Sequence, residues 1–168
     1  MKPSFVIVED HPLYREALTS LIESEFPDHK VRVEGNLENG ITAIHKENNA
    51  RKTAAIVLLD LGLPDSTGVA AAYQLIKECP DNPVVIISAS DDYMQVTSCL
   101  NAGAKLFINK TAPPTNFISA LKKLINQNEF SAQWISAEGS RTVDIKHGIR
   151  LTERQMDVLK LICEGKSN

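Results

Sequence analysis

The stretch that most limits how this chain folds is Ile56-Val57-Leu58-Leu59-Asp60. A run so short and so apolar fits a strand buried on both faces, as in a parallel sheet beneath helices. Asp60 closes it, and Leu61 to Gly68 follows as a loop with Pro64, Asp65 and Gly68 as turn residues. Open α/β sheets place their ligands at the carboxyl ends of central parallel strands, where Asp60 would stand. Taken alone, an aspartate there is a strand-end turn former or a helix cap. Its meaning depends on what other segments bring beside it.

Further short apolar runs recur along the chain. Phe5 to Val8 is closed by Glu9 and Asp10, and Pro12 suits the first turn of a helix. Leu13, Ala17, Leu18, Leu21 and Ile22 recur at helical spacing to about Glu25. Val31 to Glu34 alternates like an edge strand, and Asn36 can cap a helix carrying Leu37, Ile41 and Ile44. Val69 to Lys77 is a third helix. Val84 to Ile87 ends in Ser88, and Asp91-Asp92 caps a helix closed by Gly103. Lys105 to Asn109 ends in Lys110, and Pro113-Pro114 opens a last helix with Phe117, Ile118, Leu121, Leu124 and Ile125. Strict alternation of five strands and five helices predicts an α/β fold, a doubly wound parallel sheet covered on both faces.

Composition excludes several classes. At 168 residues the chain is one domain plus a short remainder, and a net charge of −3 does not advertise nucleic acid. Cys79, Cys99 and Cys163 are odd in number with no CxxC spacing, which reads as reduced, half-buried thiols in a cytoplasmic protein. The start MKPSFVIVED does not look like a signal peptide, and no stretch is long and apolar enough to span a membrane.

If the sheet forms, Glu9-Asp10, Asp60, Ser88 and Lys110 all reach one rim. Carboxylates gathered there repel one another by ~4 kcal/mol per pair at 4 Å in an effective dielectric near 20. A divalent cation relieves this, and hard oxygen donors at a wet rim suit Mg2+. A lysine and a hydroxyl beside such a site match a phosphoryl group. The chemistry suggested is phosphoryl transfer onto Asp60 as carboxylate nucleophile. Each residue also has a plainer reading: Lys110 as a solvated charge, Glu9-Asp10 as a charged strand exit, Ser88 as a turn residue, Phe107 as core. His11 and His45 read as surface or packed histidines.

EDHP at 9–12, LLDLGLPDSTG at 58–68, SAS at 88–90 and NAGAKLFINK at 101–110 together resemble the receiver domain of a two-component response regulator. The likeness spans about residues 4–127. It implies a flavodoxin-like receiver sheet of order 2-1-3-4-5. It further implies that Asp60 accepts a phosphoryl group from a sensor histidine kinase, with Mg2+ as cofactor. Asp10 becomes a direct metal ligand, Glu9 a ligand through water, and Gly62 a ligand through its backbone carbonyl. Ser88 and Lys110 would meet the phosphoryl oxygens, and Phe107 takes the position of a switch aromatic. Phosphorylation is then expected to promote a homodimer. Thr111 after Lys110, with prolines only at 113 and 114, resembles receivers attached to LuxR/FixJ-type DNA-binding domains.

The remainder follows from this division. Residues 1–127 form the receiver and 128–150, polar and mixed, an interdomain linker. In residues 151–168, Thr152 with Gln155 makes a capping box, and Leu151, Met156, Val158, Leu159 and Ile162 make an apolar stripe. That segment resembles the opening of a LuxR/FixJ-type (NarL subfamily) helix-turn-helix domain. Transcriptional control through DNA is thus expected of the parent protein, and no sequence-specific DNA binding of this fragment, which lacks a recognition helix. The alternative is a receiver-like dimerisation or docking module that works without phosphorylation. An aspartate-nucleophile phosphatase needs a second acid two residues after the nucleophile, and that position is Gly62.

Overall fold

In the computed structural model, which describes residues 2–126 and 131–142, the strands and helices alternate as the apolar runs predict. β1 (Phe5–Val8), β2 (Val31–Glu34), β3 (Ile56–Asp60), β4 (Val84–Ser88) and β5 (Leu106–Asn109) are separated by α1 (Pro12–Glu25), α2 (Leu37–Arg51), α3 (Gly68–Glu78) and α4 (Tyr93–Ala102), and α5 (Pro114–Asn126) follows. Two further strands come next, β6 (Gln133–Ser136) and β7 (Gly139–Thr142). The sheet order is β2-β1-β3-β4-β5-β6-β7, parallel throughout except for the antiparallel β6–β7 pair. The expected 2-1-3-4-5 order is therefore present, but the sheet has seven strands rather than five. The segment 128–150, expected to be a linker, contains the β6–β7 hairpin.

Successive strand residues face opposite sides, which explains why the inner runs are apolar without a break. Val6, Val8, Val57, Leu59, Val84, Ile86 and Phe107 pack with Leu37, Ile41, Ala71, Leu75, Val96 and Leu100 from α2, α3 and α4. Phe5, Ile7, Ile56, Leu58, Val85, Ile87, Leu106 and Ile108 pack with Leu18, Ile22, Phe117, Ile118 and Leu121 from α1 and α5. One strand set thus supplies two cores, and the helices only close them.

The helix ends follow local chemistry. Asn36 accepts from the Asn39 amide at 2.8 Å and Asp92 from the Gln95 amide at 2.9 Å, each capping its own helix. Glycine is required where α2 meets β1: a Cβ at Gly40 would stand 2.7 Å from Val8 Cγ2. The stripe predicted on α1 is only half right. Leu18 and Ile22 are buried, Tyr14 and Leu21 partly so, but Leu13 is 85% exposed and Ala17 is exposed too. Cys79 and Cys99 are fully buried rather than half-buried, and burial pushes their thiols up to about 11 and about 12. Cys163 and the helix-turn-helix likeness at 151–168 lie outside the described residues. Among the described residues no helix is long and apolar enough to cross a membrane.

Candidate functional site

The carboxyl ends of β1, β3, β4 and β5 form one rim, because all four strands run the same way in adjacent positions. Asp60 is the last residue of β3 and is 4% exposed. Glu9 follows β1 and is 1% exposed, while Asp10 is partly exposed. Lys110 follows β5, and its amide donates to the Ser88 carbonyl at 2.8 Å, fixing where the side chain starts. From there Nζ reaches Asp60 Oδ1 at 2.9 Å and Glu9 Oε2 at 2.7 Å. Burial alone would lower the Lys110 pKa. Its hydrogen bonds to Glu9 and Asp60, and their charges, outweigh that and raise it, so the side chain is cationic.

Tyr14 completes the floor. Its ring lies beneath Lys110 Nζ at 4.4 Å from the centroid, close enough for a cation–π contact. Burial first, then the Glu9 and Asp60 carboxylates, push the Tyr14 phenol up to about 12. The other carboxylate oxygen of Asp60 accepts from the Gly62 amide at 2.9 Å. The loop that follows is closed by the Gly68 amide on the Leu61 carbonyl at 2.7 Å, with Gly68 at φ +61°, where a glycine is favoured.

Ligand atoms of Glu9, Asp10, His11 and Asp60 lie within 4.8 Å of one another. One Asp10 oxygen, Oδ1, is buried and accepts no hydrogen bond, and it stands 3.0 Å from His11 Nδ1. An unsatisfied buried carboxylate oxygen amid crowded hard donors fits a divalent cation bound by oxygen. His11, read from sequence as a surface or packed residue, is exposed and also lies against this cluster. Its amide and its Nδ1 contact Glu9 Oε1 at 3.0 and 2.9 Å. Its place directly after Glu9-Asp10 was the signal available.

Ser88 is 5% exposed and sits at the rim one residue past the Asp60–Ile87 register pair. Its hydroxyl accepts from the Ser90 amide at 3.1 Å and donates to Gln95 Oε1 at 3.5 Å. Phe107 is fully buried and packs on the α4 side of the sheet. Asp65, a turn residue by its sequence context, also bridges two units of the fold. Its two oxygens accept from the Leu37 and Glu38 amides at 2.9 and 3.0 Å, which ties the loop after Asp60 to the start of α2. The tie is invisible in sequence, because Asp65 and Leu37 belong to different βα units. His45 is exposed and lies 3.9 Å from Cys79 Sγ, away from the rim.

Residues 5–122 match the Response regulator receiver domain family. The chain belongs to that family. It is 30% identical to a glycerol metabolism activator of Pseudomonas putida over 97% of this chain and 76% of the relative. It is 29% identical to the transcriptional regulatory protein DegU of Brevibacillus brevis over 99% of this chain and 77% of that one. Among solved structures, a CheY-like receiver domain protein of Methanospirillum hungatei JF-1 superposes with a TM-score of 0.65 at 21% identity, covering 75% of this chain and 95% of the other. The receiver is therefore of the CheY-like, flavodoxin-like class, as the likeness in sequence implied. Its relatives also include a response regulator protein, VraR, of Staphylococcus saprophyticus, 28% identical over 97% of this chain and 77% of that one.

Proposed function

We propose that this receiver is a phosphorylation-switched response regulator module that accepts a phosphoryl group on Asp60 from a sensor histidine kinase. The observation that carries this reading is the Lys110 ammonium between Asp60 and Glu9, beside the unsatisfied Asp10 oxygen. The Asp60 oxygen attacks the phosphorus of a phosphohistidine or acyl phosphate. A new P–O bond forms as the bond to the donor breaks, and the donor leaves with the bonding pair. Lys110 is positioned to neutralise charge on the transferred group, and the Ser88 hydroxyl is the nearby donor for one of its oxygens.

Mg2+ would be held by Asp10, Asp60 and the Gly62 carbonyl, with Glu9 through water. When bound, it offsets the combined negative charge of donor and acceptor. Phe107 is proposed as the aromatic that responds when Ser88 moves. A homodimer formed on phosphorylation is proposed from the receiver resemblance alone, and transcriptional control through DNA by the whole protein is supported by the relatives, among them a DNA-binding transcriptional activator EvgA of Escherichia coli. The proposed division is a receiver at 1–127 and the start of a helix-turn-helix domain at 151–168.

The test is intact-mass spectrometry after incubation with acetyl phosphate and MgCl2. The expected result is one added phosphoryl group on wild type and none on Asp60→Asn. An unmodified wild-type chain would overturn the proposal. Light scattering with beryllofluoride tests the dimer, and an unchanged mass would remove that part.

A further inference from the structure

At the side of the sheet away from the hairpin, β2 is the last strand. It pairs with β1, and among the described residues no strand lies on its outer side. All four of its residues are only partly buried, whereas those of β1, β3, β4 and β5 are buried. The carbonyls of Lys30 and Glu34 accept from the Phe5 and Glu9 amides at 2.8 and 3.0 Å. These residues therefore turn their backbone groups toward β1. Backbone direction alternates along a strand, so Val31 and Val33 turn their amides and carbonyls outward. An open edge of this kind is a template for another strand.

The charges on this edge select what can pair with it. Val31 and Val33 pack on the α1 and α5 side, which leaves Arg32 and Glu34 together on the opposite face. Arg32 Nε is buried, makes no hydrogen bond, and lies 3.5 Å from Glu34 Oε1. Like charges along an edge repel a second copy of the same strand. Opposite charges two residues apart do the reverse when the copy runs antiparallel. With Val33 opposite Val33, Arg32 of each copy faces Glu34 of the other. The next allowed registers would set Arg32 against Arg32 or Glu34 against Glu34, which is repulsive. Charge thus singles out one register.

We propose that the outer edge of β2 is an interface for β2 of a second copy of this chain, paired antiparallel about a two-fold axis at Val33. The backbone supports the same register. A residue opposite itself in an antiparallel pair can exchange both of its hydrogen bonds, and Val33 offers both groups outward. Arg32 and Glu34 then fall in the pairs that exchange no backbone bonds, where side chains come closest. The contact is isologous, so each copy contributes one arginine and one glutamate to each of two equivalent ion pairs. It joins two sheets into one and uses no residue of the Asp60 rim. It therefore requires no phosphoryl group and is separate from the homodimer proposed above.

The experiment is analytical ultracentrifugation of the whole chain over a concentration series, without phosphodonor or beryllofluoride. The mass of wild type is expected to rise toward about twice that of one chain, and Asp60→Asn should do the same. Arg32→Glu and Glu34→Arg each set like charges opposite one another, and each is expected to weaken association at least about tenfold. Mixed in equal amounts, the two variants restore opposite charges at every pair and should dimerise with each other. Arg32→Glu also places an acid near the buried Glu47, so a second variant guards against misfolding. Val33→Pro removes an amide that faces away from β1, and edge strands tolerate proline there. It is expected to abolish the dimer while its circular dichroism stays that of wild type. Wild type that remains monomeric at every concentration overturns the proposal. So does a dimer that persists in Glu34→Arg and Val33→Pro, or one that forms only after beryllofluoride and Mg2+ are added.

Discussion

Lys110 Nζ lies 2.9 Å from Asp60 Oδ1 although β4 runs between the strands that carry them. The same nitrogen reaches Glu9, beyond β1, at 2.7 Å. One cation therefore holds two nearly buried carboxylates, with Asp10 as a third beside them.

That imbalance predicts opposite effects for two substitutions without a divalent cation. Lys110→Met leaves Glu9 and Asp60 buried without their cation and should cost on the order of 3 kcal/mol. Asp60→Asn relieves carboxylate crowding and should raise stability by about 1 kcal/mol. Urea denaturation with and without MgCl2 checks both. The salt should stabilise wild type more than Asp60→Asn, since only binding to the folded state shifts the midpoint.

Tyr14 gives an alkaline signature. Its phenol is raised from 10.0 to about 12 in the folded state, so folding favours the neutral form. A raised folded value contributes stability that is present below pH 10 and lost as pH rises toward 12. Ultraviolet titration of tyrosinate should show one of the three tyrosines ionising late. Tyr14→Phe should abolish that late step, and a late step that persists in the variant would assign it elsewhere.

Asp65 caps α2 from outside its own helix. Burial would raise its pKa, but the Leu37 and Glu38 amides, together with its own backbone amide, outweigh burial and lower it. The stabilisation is therefore present above the unfolded value and lost as pH falls through the folded one. Asp65→Ala should cost about 1 kcal/mol at neutral pH. Its difference from wild type in urea should shrink in acid.

Gly40 and Val8 should behave as a coupled pair. Gly40→Ala drives a methyl group into Val8 and should cost about 1–3 kcal/mol, since overpacking displaces neighbours. In the background of Val8→Ala the same change should cost less. Equal costs in both backgrounds would mean that α2 shifts to make room.

The sequence by itself determined the five apolar runs, their alternation with helices, the caps at Asn36 and Asp92, and the rim residues Glu9, Asp10, Asp60, Ser88 and Lys110. These are short-range signals, because a strand's apolarity and a cap's hydrogen bond are set within a few residues. Only the tertiary structure decided that His11 joins the acidic cluster, that Asp65 caps a helix from another unit, and that Leu13 faces water despite its helical spacing. It also decided that residues 133–142 extend the sheet instead of crossing solvent. Their polar, mixed sequence carries no strand pattern strong enough to stand alone. What makes them strands is the open edge of β5 and the two cores that receive Trp134 and Ile135, and both are built from residues far away in the chain.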